Sequence, residues 1–220
     1  MARPRSFYEA AKIAKLSISK VAEIGVFRYD CSVIREFIES GLECHLYEPV
    51  PAFCDKIEEE LGRYPLSKLF RFALSDTDKA IELYLAGDIG ASTFSAELSA
   101  SPALLNDHFK PSKESAITVQ CRDFSTVDPG DYDLVSIDVE GAEWPIIKNM
   151  KSRPVFLAIE THFRNYKNPH LAQIRHWAAT EGYNLWYVDE SDSVFIRGEP
   201  PKRPFFERLA NEWKIRKIYR

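Results

Sequence analysis

The sequence predicts an α/β fold, with a mostly parallel sheet that carries helices on both faces and closes in an antiparallel hairpin. Three observations predict it. Apolar segments of strand length alternate with amphipathic segments of helix length along much of the chain. Val155–Ile159 is apolar at every position, as expected of a strand covered on both faces. Three strand ends are acidic: the strand from Lys20 to Ile24 carries Glu23, that from Cys44 to Tyr47 ends at Glu48, and that from Leu134 to Ile137 ends at Asp138. Grouped carboxylates repel one another and lose hydration when covered, so stability does not explain them. The carboxyl ends of α/β strands are where such sheets place ligands.

The elements follow in order. Residues 6–16 read as a short helix with Phe7, Ala11 and Ala14 on one face. After the first strand, a helix from Ser32 to Ser40 presents Val33, Ile34, Phe37 and Ile38 as its apolar stripe and stops at Gly41. The second strand leads to a helix over Pro51–Leu61, with proline near its start and Gly62 just past its end. Leu69–Leu74 reads as a third strand of the same sheet, and Ile81–Leu85 and Ile117–Cys121 as further strands. Between them, Gly87–Ser115 is rich in Ser, Ala, Gly and Pro, and a loop of that length suits a substrate lid. A short helix near Ala142–Met150 follows the Asp138 strand. His170–Glu181 is a helix ended by Gly182; Leu185–Val188 and Val194–Ile196 are closing strands around an Asp189–Asp192 turn. Phe206, Leu209, Ala210 and Trp213 mark a C-terminal amphipathic helix. With no internal repeat or composition break, the reading is a single domain over 1–220, with an N-terminal helical extension (1–19), an insertion (86–116) and a basic C-terminal helix (202–220).

Bulk properties narrow the function. A net charge of −4 disfavours a nucleic-acid binder. The seven Lys/Arg between Lys202 and Arg220 read as a solvated helix face. The four cysteines lack CxxC spacing, so zinc and redox motifs are unsupported and a reducing, cytoplasmic location is expected. The first residues lack a signal-peptide run, and no apolar stretch is long enough to span a bilayer.

Glu23 and Glu48 lie 25 residues apart at the ends of adjacent strands, and an acid at about that distance beyond a glycine loop binds ribose hydroxyls in nucleotide-binding folds. Glu23 either fixes a cationic amine or is satisfied by the loop it opens. Pro49 forces an abrupt strand exit. Ser75 and Asp76 suit the edge of a purine ring, or form an Asx-type turn. His162, two residues beyond Glu160, is a candidate base because its unperturbed pKa of about 6.5 suits neutral pH. Asp138, Glu140, Glu160 and His162 could hold a divalent metal, but no spacing demands one and none is expected. The dinucleotide loop Gly-x-Gly-x-x-Gly is absent, which argues against a dehydrogenase.

Glu23-Ile-Gly25, Tyr47-Glu-Pro49, Ala73-Leu-Ser-Asp76 and Asp138-Val-Glu-Gly-Ala-Glu143 occur in an order and spacing that resemble the FkbM family of S-adenosylmethionine-dependent methyltransferases. Ala91-Ser92-Thr93 and Glu160 resemble further motifs of that family, and the resemblance spans roughly 20–162. It implies a Rossmann-like class I methyltransferase domain with a seven-stranded sheet and S-adenosylmethionine across the strand ends. By that resemblance Glu23, Gly25, Glu48, Pro49, Ser75, Asp76 and Asp138 belong to the cofactor site, and Asp138 with His162 to the catalytic one. The acceptor would be a hydroxyl of a sugar or small metabolite. The chain departs from the family in its first loop: only Gly25 is glycine, and Phe27, Arg28 and Tyr29 occupy positions where the cofactor needs room. Arg28 or Tyr29 would then meet the cofactor's carboxylate. The alternative is a non-catalytic binding or assembly protein that kept the fold and not the loop.

Overall fold

The computed structural model describes residues 6–85, 92–93, 116–163, 166–203 and 205–219. Helix α1 (Phe7–Ile13) starts at Ser6, whose hydroxyl accepts the Glu9 N–H at 3.2 Å. Strand β1 (Lys20–Ile24) is followed by a single 3₁₀ turn (Tyr29–Cys31) and α2 (Arg35–Glu39). β2 (Glu43–Tyr47) and α3 (Pro51–Leu61) come next; α3 has Pro51 in its first turn and ends at Gly62, as the sequence predicts. β3 (Ser67–Phe70) completes the first half.

The expected third strand, Leu69–Leu74, is two strands in two sheets. β3 ends at Phe70, and β4 (Ala73–Ser75) leaves the main sheet. The break falls at Arg71, whose guanidinium reaches Asp55 at 2.6 Å and Glu58 at 2.9 Å on α3. β4 joins β5 (Lys79–Leu85), β6 (Ser92–Thr93) and β7 (Ala116–Asp123) in a four-stranded sheet of order β4-β7-β5-β6. Val50, Ala73, Leu83, Val119 and Cys121 form its own small core. Apart from β6, the candidate lid at 87–115 lies outside the described residues.

α4 (Phe124–Val127), β8 (Leu134–Ile137), α5 (Glu143–Lys148) and β9 (Phe156–Glu160) follow. A short hairpin of β10 (His162–Phe163) and β11 (Tyr166–Lys167) precedes α6 (Leu171–Thr180). β12 (Tyr183–Val188), β13 (Asp192–Arg197) and α7 (Phe205–Tyr219) end the chain. The main sheet has seven strands in the order β12-β13-β9-β8-β1-β2-β3. β13 alone runs against its neighbours, so its first residue, not its last, lies at the edge where the parallel strands end; Asp192 is registered with Glu160.

Both faces are covered, which is why β8 and β9 are buried at every residue. On one face Phe7, Phe37 and Ile57 pack over Leu134 and Phe156; on the other, Phe124, Ile146 and Trp177 pack over Ile137 and Ile159. Each such side chain contributes on the order of 1.5–3 kcal/mol by leaving water.

Two expectations about helix faces are corrected. Val33, assigned to the apolar stripe of α2, precedes that helix and is 40% exposed. On α7, Leu209, Ala210 and Trp213 face outward, and Asn211 and Ile218 are buried. The cause is the edge strand β12: the Asn211 amide accepts the Val188 N–H at 2.9 Å and donates to the Trp186 carbonyl at 3.2 Å. Satisfying an exposed strand edge outweighs burial of the longer apolar stripe. All four cysteines are free. Among the described residues, no helix is long and apolar enough to cross a membrane.

Candidate active site at the strand tips

The tips of β1, β2 and β8 meet around a cavity of about 250 Å³. Glu23, Gly25, Glu48, Pro49 and Asp138 all line it, so five of the residues singled out in the sequence come together. Phe27, Tyr47 and Leu74 add an apolar wall. Parallel pairing explains the convergence: Glu23 is registered with Leu46 of β2 and Ser136 of β8, so the chain leaves all three strands at one level.

Glu48 is 4% exposed, and both its oxygens are engaged by backbone. Oε2 accepts the N–H groups of Val26 (3.2 Å) and Phe27 (2.8 Å), and Oε1 that of Val50 (2.9 Å). The carboxylate therefore shapes the β1 loop, and three of its roughly four acceptor positions are used in doing so. Burial raises its pKa, and the three N–H groups oppose that rise. Glu23 is likewise buried, accepting from the Ser32 hydroxyl and, at 2.9 Å, from the Val33 N–H. Of the two readings open for Glu23, the loop it opens supplies its partners.

Gly25 has φ +83°, and a Cβ there would lie 1.8 Å from the Asp138 carbonyl oxygen. The glycine is required by the close approach of the β1 and β8 loops. Phe27 (φ +62°) and Glu140 (φ +56°) are both held left-handed beside the same cavity. Non-glycine residues in that region cost on the order of 1–3 kcal/mol, and such strain collects at functional sites.

Asp138 opens onto the cavity, and behind it stand Glu143 and Glu160. One oxygen from each of the three lies within 4.8 Å of the others. Carboxyls so close need a shared proton or cation. The Asp138–Glu160 hydrogen bond supplies a proton: burial and surrounding acids push Glu160 up to about 12, so it donates and Asp138 accepts. Burial also raises Asp138, to about 6, and the Glu160 hydrogen bond opposes that rise. Glu143 is fully buried and holds the strand exit, accepting from the Val139 and Gly141 N–H groups and from the Asn168 amide.

Five expected residues lie elsewhere. Arg28 points to solvent, paired with Asp30 at 3.2 Å. Tyr29 stacks on Tyr64, with centroids 6.3 Å apart. Ser75 donates to Asp76 at 3.3 Å, and Asp76 pairs with Lys148 of α5 at 2.6 Å. His162 is buried beneath α7, with Nδ1 3.0 Å from the Thr161 hydroxyl; burial lowers its pKa. None of the five lines the cavity. The residue that sequence reasoning passed over is Asp192, taken as part of a turn. It lines the cavity because β13 is antiparallel and brings its first residue to the acidic rim.

The rim has a measurable consequence. Glu23 is held at about 8 and Glu143 at about 7, in each case chiefly by burial. A group whose folded pKa lies above its unfolded value binds more protons when folded. Stability therefore falls as pH rises from the unfolded carboxylate range to the folded value. The ligand-free protein is expected to melt at a lower temperature at pH 8 than at pH 5.5. A melting temperature flat or rising across that interval contradicts the buried acidic rim.

A family model for the FkbM methyltransferase domain matches residues 21–185, from β1 through most of the sheet. The chain belongs to the FkbM methyltransferase family. Among solved structures it is similar to an O-methyltransferase family protein from Burkholderia thailandensis, at 11% identity and a TM-score of 0.44 over 90% of this chain; it spans 57% of that protein's length. It is also similar to precorrin-6y C5,15-methyltransferase from Geobacter metallireducens, at 10% identity and a TM-score of 0.41, covering 90% of this chain and 93% of the other. No curated protein sequence matches it. The family assignment implies S-adenosylmethionine, and the donor set fits such a group. Acids ring a cavity whose apolar wall suits a nucleoside, and they favour a ligand bearing sulfonium and ammonium charges.

Proposed function

We propose that the chain is an S-adenosylmethionine-dependent O-methyltransferase acting on a hydroxyl of a sugar or other small metabolite. The observation that carries this reading is the delivery of Glu23, Glu48 and Asp138 from three adjacent strand tips to one cavity. In the proposal Glu48 faces the ribose hydroxyls, and Gly25, Pro49 and Phe27 shape the floor. When bound, S-adenosylmethionine supplies a sulfonium methyl that passes to the acceptor oxygen, leaving a neutral thioether and a proton for the protein to take. Asp138 takes that proton. It is the carboxylate open to the cavity, and Glu160, which keeps its own proton, fixes its orientation. Alignment of the reactants and proton removal are the two contributions a protein makes to such a displacement. His162 lies away from this cavity, which favours Asp138 as the base.

Calorimetric titration with S-adenosylhomocysteine tests the reading. Saturable micromolar binding is expected, and Glu48→Ala should weaken it at least tenfold, about 1.4 kcal/mol, through loss of both the diol acceptor and the β1-loop clamp. Absence of saturable binding would instead support a non-catalytic binding protein. One observation favours that second reading: Phe27 occupies the cavity wall, 4.8 Å from Phe53 edge to face, where a family member would leave room.

A further inference from the structure

A second recess, of about 650 Å³, adjoins the first. It lies between the start of α1, the start of α2 and the β12–β13 turn, and the two share Cys31, Val33 and Asp192. Among the described residues its walls carry Glu9, Glu36, Glu39, Asp189 and Asp192 against one cation, Arg35, which already pairs with Glu39 at 3.6 Å. Acidic walls alone would be an ordinary solvated surface. Asp192 is different. It is 8% exposed, and among the described residues its side chain makes no hydrogen bond or ion pair. Asp189, which caps its own turn by accepting the Ser191 and Asp192 N–H groups, adds repulsion rather than relief. Burial and the neighbouring acids favour the protonated form of Asp192, and a cation that seats beside it would complete the carboxylate.

The geometry points to this recess as the acceptor site, and to an acceptor that carries a protonated amine, held by Asp192, next to the hydroxyl that is methylated. The inference rests on the methyltransferase reading and specifies its substrate class. Asp192 stands across from Glu160 in the β13–β9 register, and Glu160 is bonded to Asp138. Asp192 and Asp138 both line the first cavity, so an amine on Asp192 places the rest of the acceptor beside the cavity onto which Asp138 opens. An acceptor with an amine and a hydroxyl on one small ring, as in an amino sugar or aminocyclitol, suits such a pair of acids. Phe7 and Val33 give the recess an apolar side suited to a ring face.

The test is a titration of the full chain, saturated with S-adenosylhomocysteine, with glucosamine and 2-deoxystreptamine, and with N-acetylglucosamine and myo-inositol as neutral counterparts. The amines are expected to bind saturably, the neutral compounds at least about tenfold more weakly. Asp192→Asn should reduce amine binding by about tenfold or more while leaving the melting temperature of the ligand-free protein nearly unchanged, because burial and the neighbouring acids keep Asp192 protonated until an amine arrives. Glu36→Gln, half-buried on the recess wall, should weaken amine binding by about threefold and provides the readout if the first variant misfolds. Equal binding of amines and neutral compounds, no amine binding, or unchanged binding by the Asp192 variant overturns the inference while the cofactor reading stands. Failure of S-adenosylhomocysteine to bind removes both.

Discussion

Replacing Gly25 by alanine is expected to destabilise the protein by about 3–5 kcal/mol, a fall in melting temperature of roughly 10 °C or more for a chain of this size. Two costs add. At φ +83° an alanine side chain is strained, and its Cβ would sit 1.8 Å from the Asp138 carbonyl oxygen. That oxygen belongs to backbone at the exit of a buried strand, so it cannot step aside as a flexible side chain would. Gly41→Ala separates the terms. Gly41 has φ +80° with nothing within 4 Å of the added Cβ, so it bears the strain without the clash, about 1 kcal/mol. Paired melting curves check this: similar losses at both positions would show that the β1 and β8 loops do not meet as described. Because Gly25 joins the two loops of the cavity, Gly25→Ala should also weaken S-adenosylhomocysteine binding, whereas Gly41→Ala should not.

Asp138→Asn is expected to reduce turnover by about 10²–10⁴-fold while S-adenosylhomocysteine affinity changes little, because the amide keeps the shape of the carboxylate but cannot take a proton. In the wild type, activity should fall as pH drops through about 6, since only the ionised Asp138 is a base and its pKa is held there. Measuring the rate against pH checks the assignment. A profile governed by His162 would persist in the Asn variant with its acid limb unmoved, and that result would transfer the proton to the histidine.

Much of the sheet was legible because its signals are local. The uniformly apolar β8 and β9, the Pro51 start and Gly62 stop of α3, and the acids ending β1 and β2 each announce themselves within a few residues. What was not legible depends on partners distant in sequence. Leu69–Leu74 reads as one strand, yet Arg71 pairing with α3 divides it between two sheets. The apolar residues of α7 suggest a buried stripe, yet Asn211 wins the inward position by bonding the edge of β12. At the site, the parallel strand ends were found by their acids, whereas Asp192 was hidden because an antiparallel strand reaches that rim with its first residue. Ser75 and Asp76 were plausible by motif, yet Lys148 takes Asp76.

A crystal structure of the protein soaked with S-adenosylhomocysteine tests the central claim most directly. The account predicts the ribose hydroxyls against Glu48 and the sulfur facing Asp138, with Phe27 displaced no further than its own loop allows. Density for the nucleoside at any other place, or an empty cavity at saturating ligand, would contradict it.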